Sequence, residues 1–430
     1  MSLFGDINKM TIRKLSKLIL SVVAIYIILG NLPRILSVPG FRDNLSIMEF
    51  IIYLSIILYA LLTRKILFGL RNLGCIYIII ATSFMYGLIL NGFEIKPFFY
   101  AIRLILGIFS ANIAGFILYK LYRNNIISTI NYILVMYVVI LILSIIIYLA
   151  FPESALFWEY LSRYGIGFSG DPHVHRFVST YLDPNYYAAI ACIPLFLSIF
   201  LYGSTNKIHY LIISFLFIVS VFLSGSRSGI VTMVLLLAVI LYKKVMMKRI
   251  SIRSIFSFGI IFFLMFSFQQ YYIENLTNAW NRLINIFTYA GDESALERYY
   301  SFQYGMNLFF DYPILGVGYN YLSSYTENFR GLSSLDSSIQ ATLVNFGIIL
   351  TSLFIICFVM WIIITWKSIQ HYKKINHHIV ELYNYFLWYI LIILIFTSQF
   401  NNLLYYQFWL FPNIMIGTYF FYFAKGVKSA

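Results

Sequence analysis

Charge is what this sequence has least of. Only 16 of its 430 residues are acidic, and charged residues of both signs make up 11% of the chain. Soluble domains carry about a quarter of their residues as charged side chains, so an ordinary water-facing surface is excluded. Cysteine is almost missing too. Cys75, Cys192 and Cys357 all fall inside apolar runs, which gives no disulfide framework and no metal-ligand spacing and leaves packing as their explanation. Short-period repeats, low-complexity linkers and any stretch resembling a soluble domain are absent as well.

What is abundant is apolar surface. Hydrophobic residues make up 61% of the chain, and the mean hydropathy is +0.83. Runs near the roughly 20 residues needed to cross a bilayer recur throughout. They predict spans at 15–32, 47–63, 73–90, 98–119, 127–151, 184–203, 209–223, 228–242, 254–271, 339–366, 379–397 and 403–424. The expected fold is therefore an all-α integral membrane protein, a single polytopic domain over 1–430 with twelve transmembrane helices. The first run is flanked by Lys9, Arg13, Lys14 and Lys17 and lacks a small-residue cleavage site, so it reads as an uncleaved helix.

The basic residues set the expected orientation. With a cytoplasmic N-terminus, 20 of the 30 Lys and Arg fall on inner segments together with only Asp6 and Glu381, a balance of +18 inside and −4 outside. Both termini then lie in the cytoplasm. The net charge of +14 is a topology signal and not a nucleic-acid one. The outer set is nine arginines to one lysine, the inner set six to fourteen. Arginine's planar fork of donors suits phosphate, whereas lysine is a more diffuse anchor for anionic headgroups. Arg34, Arg42, Arg282 and Arg330 are read as partners of the outer acids. Arg103 lies about five residues inside its helix, a depth that costs about 2–3 kcal/mol without a partner or water; snorkelling competes there with a place in a polar outer cavity.

Two outer segments are long enough to carry function. The first, 152–183, contains Arg163, Asp171, His173, His175 and Arg176. Two histidines two apart in a loop read as solvated before they read as metal ligands. Asp183-Pro184 is an N-cap followed by the one residue that needs no backbone donor, so a helix starts there. The second segment, 272–338, is too long to be a mere connection. Ser294-Ala-Leu-Glu297 is a capping box for a helix over about 295–310, which places Arg298 in its first turn. Asp311-Tyr-Pro313 ends it, and Gly316-Val-Gly318 makes a turn where backbone can approach a ligand. Ser337 and Gln340 form a second expected capping pair, and capping is also the plain explanation of Asp336.

Three of the spans, those opening near Asp183-Pro184, at the turn Leu223-Ser224-Gly225-Ser226-Arg227-Ser228-Gly229 and at Asp336-Ser337, run inward from the outer face. Their free amides and positive dipole ends are potential anion sites. With Arg176, Arg227 and Arg298 nearby they would receive a diphosphate.

The stretch from Arg176 through Asp183-Pro184-Asn185-Tyr-Tyr-Ala188, the Ser-Gly-Ser-Arg227-Ser-Gly turn, Glu297-Arg298 through Gly316-Val-Gly318, and Asp336-Ser-Ser-Ile-Gln through Gly347 together resemble the O-antigen polymerase and O-antigen ligase superfamily. The resemblance covers roughly 176–350; before that it is one of topology only. It implies a GT-C-type glycosyltransferase of the bacterial cytoplasmic (inner) membrane, metal-independent, inverting and without cofactor. Its donor and acceptor would be undecaprenyl-diphosphate-linked glycans, with a chain-length regulator and a flippase as further partners and no nucleic acid. Carried over, Arg227 and Arg298 become diphosphate contacts, with Arg176 and Arg103 beside them. Ligases usually have histidine where this chain has Asp336, which leans the resemblance toward a polymerase with Asp336 as general base.

The chemistry can be stated without the family. Fixed arginines and amides neutralise charge on a departing diphosphate, while a carboxylate or imidazole takes a proton from the acceptor hydroxyl. Asn185, Tyr299, Tyr319 and Asn320 are candidate glycan contacts, although in a chain with 20% aromatics many rings simply mark the membrane interface. Three functions compete: polymerase, ligase acting on lipid A-core, and polysaccharide flippase or other transporter. A transporter is expected to show charged or broken helices near the midplane and internal symmetry, whereas here the polar features crowd the outer face.

Overall fold

The computed structural model describes residues 2–33, 44–71, 73–123, 125–150, 176–246, 293–322, 325, 335–370 and 377–426. The expected span 254–271 lies outside these residues, as do Arg34, Arg42, Arg163, Asp171, His173, His175, Arg282 and Arg330. The other eleven apolar runs all lie on helices. They are α1 (Ser2–Leu29), α2 (Asn44–Leu62), α4 (Gly74–Asn91), α5 (Ile95–Tyr122), α6 (Ile126–Ala150), α7 (Pro184–Thr205), α8 (Ile208–Leu223), α9 (Arg227–Met246), α11 (Ser338–Gln370), α12 (His377–Ile395) and α13 (Gln407–Gly426). Two further helices lie among the described residues, the short α3 (Ile66–Arg71) and α10 (Glu293–Asp311). No strand occurs among the described residues. Six helical stretches among them are long and apolar enough to cross a membrane, and α8 and the 47–62 part of α2 are shorter apolar helices. The protein is an all-α integral membrane protein.

α5 and α7 form the centre of the bundle. Nearly every side chain from Gly107 to Tyr119 and from Tyr187 to Leu201 is buried. Small residues permit this closeness. A Cβ added at Gly115 of α5 would stand 2.4 Å from the carbonyl oxygen of Met415 on α13, and one at Gly229 of α9 would stand 2.2 Å from Cβ of Ala188 on α7. Asn112 ties the middle of the bundle together: its amide donates to the Gly69 carbonyl on α3, and its oxygen accepts from Thr418 on α13.

Two features differ from the sequence reading. The first is the join between the last two spans. Residues 397–406 leave the long helices, through a single 3₁₀ turn at Thr397–Gln399 and an irregular stretch up to α13. Amides and hydroxyls offer the backbone alternative partners, and Ser398, Gln399, Asn401 and Asn402 are concentrated here.

The second is a break in α11. Gly347 adopts φ 62° and ψ −174°, so a short helix, 338–346, precedes the long one. A break inside a membrane helix exposes backbone groups that must find partners. The segment after α10 supplies them: Ile348 and Ile349 donate to the carbonyls of Pro313 and Ile314, and the Val344 carbonyl accepts from Val317. Gly316 at φ 73° lies against the same break. A broken helix was a feature associated above with transporters; here its backbone is closed by the 313–317 segment.

Gly347→Ala combines a left-handed φ with a Cβ within 2.4 Å of the Gly316 amide and the Ile314 carbonyl. The expected loss of stability is roughly 2–4 kcal/mol, from backbone strain and overpacking together. Gly74→Ala, where an added Cβ meets nothing within 4 Å, is expected to stay within about 0.5 kcal/mol of wild type. Thermal unfolding of the two purified proteins checks the difference; equal midpoints would mean that the break is not held in this geometry.

Candidate active site

Three helix starts converge at one end of the bundle. The Asp183 carboxylate accepts from the amides of Asn185 and Tyr186 at 2.7 and 3.1 Å, as its expected capping role requires. Ser226 caps α9 by accepting from the Gly229 amide, so Arg227 is the first residue of that helix and half-buried. Ser337 caps α11 by accepting from the Gln340 amide. The return half of that expected capping box does not form: the Gln340 side chain donates instead to the Phe302 carbonyl and ties α11 to α10.

The 397–407 segment joins these starts. Asn401 donates to Ser228 Oγ at 2.8 Å and accepts on its carbonyl from Ser338 Oγ at 2.8 Å. Thr397 bonds Thr232 of α9, and the Ser398 carbonyl accepts from Ser337. Tyr406 stacks on Tyr186 with ring centroids 4.1 Å apart. The sequence reading assigned no role to this segment. Its signal was present as Ser398-Gln399-Phe400-Asn401-Asn402, a polar run that was read only as the short connection between the spans 379–397 and 403–424.

In the angle between these elements lies a cavity of about 360 Å³. Asp336, Arg103, Tyr319 and Asn320 line it, joined by Lys96, Tyr100, Tyr186, Asn345, Asn402, Tyr405, Tyr406 and Gln407. Tyr319 is buried between Phe346 and Tyr405, and burial pushes its hydroxyl well above the usual tyrosine range. Asn320 donates its amide to Asn345 Oδ1 from a left-handed backbone at φ 63°.

The remaining expected residues lie beside this cavity and not on its walls. Arg176 donates to the Ser224 carbonyl at 2.6 Å and to Asn185 Oδ1 at 3.0 Å. It thereby fixes the Ser-Gly-Ser-Arg turn against the start of α7. Asn185, expected as a glycan contact, accepts this bond on its side-chain oxygen and does not line the cavity. Burial pushes the Asp183 carboxyl above its ordinary value; the two capping amides and then Arg176 and Arg298 oppose the shift. Arg298 therefore lies within electrostatic reach of the α7 start, and Tyr186 lies within reach of both Asp183 and Asp336. Tyr299 is exposed, packs edge-on against Tyr300 and does not line the cavity.

Arg103 has a partner that was not foreseen. Its guanidinium fork meets both carboxylate oxygens of Glu49 on α2, which is buried. Glu49 also accepts from Tyr26, which bonds Tyr53, which donates to Gln407 on the far wall of the cavity. Arg103, expected as a diphosphate contact, is thus a wall residue of the cavity paired with Glu49. The periodicity of α2 could not reveal this, because Glu49 stands 54 positions away in the chain.

Removing one partner of a buried ion pair leaves the other uncompensated, so Glu49→Gln is expected to cost about 3–5 kcal/mol, and Glu49→Leu with Arg103→Met to recover most of it. Thermal unfolding of the three proteins checks this. A double variant as unstable as Glu49→Gln would show that the pair does more than neutralise itself.

A search of curated proteins returned no match. Residues 212–355, which run from α8 to beyond the break in α11 and include Arg227, Arg298 and Asp336, match the family model described as O-antigen ligase. This match, over about a third of the chain, is a similarity to the O-antigen ligase and polymerase superfamily, whose members are membrane enzymes of glycosyl transfer, and it does not separate polymerase from ligase.

Proposed function

We propose that this protein is a polysaccharide polymerase that joins polyprenyl-diphosphate-linked repeat units at the outer face of the cytoplasmic membrane. The observation that carries the reading is that the matched segment holds Arg227, Arg298 and Asp336, and that these stand at the end of the bundle where three capped helix starts surround a polar cavity. Only ten of the 30 Lys and Arg fall on the segments assigned to this side, which supports an outward orientation by the positive-inside rule.

In the proposed reaction the bond between sugar C1 and the diphosphate oxygen breaks, and the acceptor hydroxyl oxygen bonds to C1 from the opposite side. The electron pair leaves with the diphosphate. Arg227 and Arg298 neutralise the charge that gathers there, helped by the free amides at the start of α9. Asp336 takes the hydroxyl proton, and Tyr319, Asn320 and Asn345 orient the acceptor sugar. Arg176 holds the Arg227 turn in place.

A ligase is the second reading, favoured by the description of the matched family; it differs in the acceptor and not in the residues. A carboxylate at Asp336, where ligases usually carry histidine, favours the polymerase. Deleting the gene and profiling the surface glycan separates them. Single repeats still attached to lipid A-core support the polymerase, and long unattached chains support the ligase. An unchanged glycan overturns both.

Within either reading Arg227→Ala and Arg298→Ala should each reduce turnover by roughly 100-fold or more. Lysine should rescue poorly, because it lacks the bidentate fork. Asp336→Asn should keep the wild-type unfolding midpoint and lose activity. Glycan transfer assayed in reconstituted membranes checks all three, and near wild-type rates in the arginine variants would remove the diphosphate assignment.

A further inference from the structure

The two ends of α5 face different surroundings. Lys96 and Arg103 line the cavity of the candidate site, while Lys120 and Arg123 reach a second cavity at the other end of the bundle. Lys96 and Lys120 are 24 residues apart on one helix, about 36 Å, close to the roughly 30 Å hydrocarbon thickness of a bilayer. The second cavity therefore lies at headgroup depth.

It has a volume of about 500 Å³, and four cations from three separate parts of the chain line it: Arg13 of α1, Lys65 after α2, and Lys120 and Arg123 of α5. Among the described residues no acidic side chain lines it. The turn that delivers Lys65 is a strained one, since Arg64 is a non-glycine residue at φ 53°. It closes with the amides of Arg64 and Lys65 donating to the carbonyls of Leu61 and Ala60. Lys65 is then held on the cavity wall: Nζ donates to Tyr59 Oη at 2.9 Å, and that oxygen also bonds Ser16 Oγ at 2.7 Å. Lys65 and Lys120 each stand 5.7 Å from the centre of the same ring, Phe116.

Orientation in a membrane requires only that cations lie on the correct side. Scattered in water, they would keep apart. A fold that gathers four of them around one space, one through a strained turn, stores repulsion that an anion at the centre relieves. We infer that this cavity binds the phosphodiester headgroup of an anionic phospholipid. Basic pockets between helices at the membrane surface suit such headgroups. The acyl chains have apolar surface beside them, since Leu61 and Leu62, one turn before Lys65, are exposed.

The test uses the purified full-length protein in mixed micelles, with thermal unfolding measured after adding phosphatidylglycerol, phosphatidylcholine or inorganic phosphate. Phosphatidylglycerol should raise the midpoint by about 3 °C or more, and the other two should leave it in place. Lys120→Gln with Arg123→Gln should abolish the rise. Lys14→Gln with Lys17→Gln removes equal charge from exposed positions of α1 that do not line the cavity, and should preserve it. An equal rise with phosphatidylcholine overturns the inference, as does an equal rise with phosphate, which would indicate a free-anion site. Equal loss in the Lys14 and Lys17 control overturns it in favour of diffuse surface charge. Should the Lys120 and Arg123 variant not fold, native mass spectrometry of wild type and Arg13→Gln gives the same decision. Wild type should retain phosphatidylglycerol that Arg13→Gln loses, and retention of none by wild type, or of equal amounts by both, overturns the inference.

Discussion

Backbone groups inside a bilayer have no water to turn to, and each one left unpaired costs several kcal/mol. In this protein the constraint is met by helices almost everywhere, and the candidate site sits where it is met by other means. At Gly347 the amides of Ile348 and Ile349 take carbonyls from the 313–314 segment. At 397–407 the connection bonds to hydroxyls and carbonyls of α9 and α11. The 402–407 stretch lines the polar cavity and the Gly347 break is packed against protein beside it, the two settings in which such structure is tolerated at membrane depth. Binding surface and structural solution are thus neighbours in the chain, Asn345 beside Gly347 and Asn402 beside Asn401.

Charge is handled in a related way. Arg103 is neutralised by Glu49 and linked through Tyr26 and Tyr53 to Gln407. Arg176 is spent on a carbonyl and an amide oxygen. Arg227 opens a helix and Arg298 lies in the first turns of another, so helix dipoles add to their positive field. The arginines therefore divide into those held by protein oxygens near the site and those standing at helix starts, a division that composition alone does not draw.

Much of the fold was legible in the sequence. Apolar runs located the helices because a membrane span needs length and hydropathy and little else, and Asp183-Pro184, Ser226 and Ser337 marked helix starts through local rules of capping. The rest was hidden where partners are distant in sequence. Glu49 looked like one more outer acid until it met Arg103, Gln340 looked like half of a capping box until Phe302 offered its carbonyl, and the role of Asn401 depends on Ser228 and Ser338 together. Local pattern reveals caps and spans; it does not reveal which polar groups a bundle will pair.

The contact of Asn31 with Tyr406 bears on biogenesis. Asn31, at the end of α1, donates to Tyr406 Oη across 375 positions of sequence and also to the Tyr181 carbonyl. Ser83 of α4 reaches Asn345 across 262. A ribosome delivers these partners to the membrane far apart in time. The cavity acquires Tyr405, Tyr406 and Gln407 only when the segment leading into α13 has been made. A chain cut before residue 405 therefore lacks these three walls of the cavity.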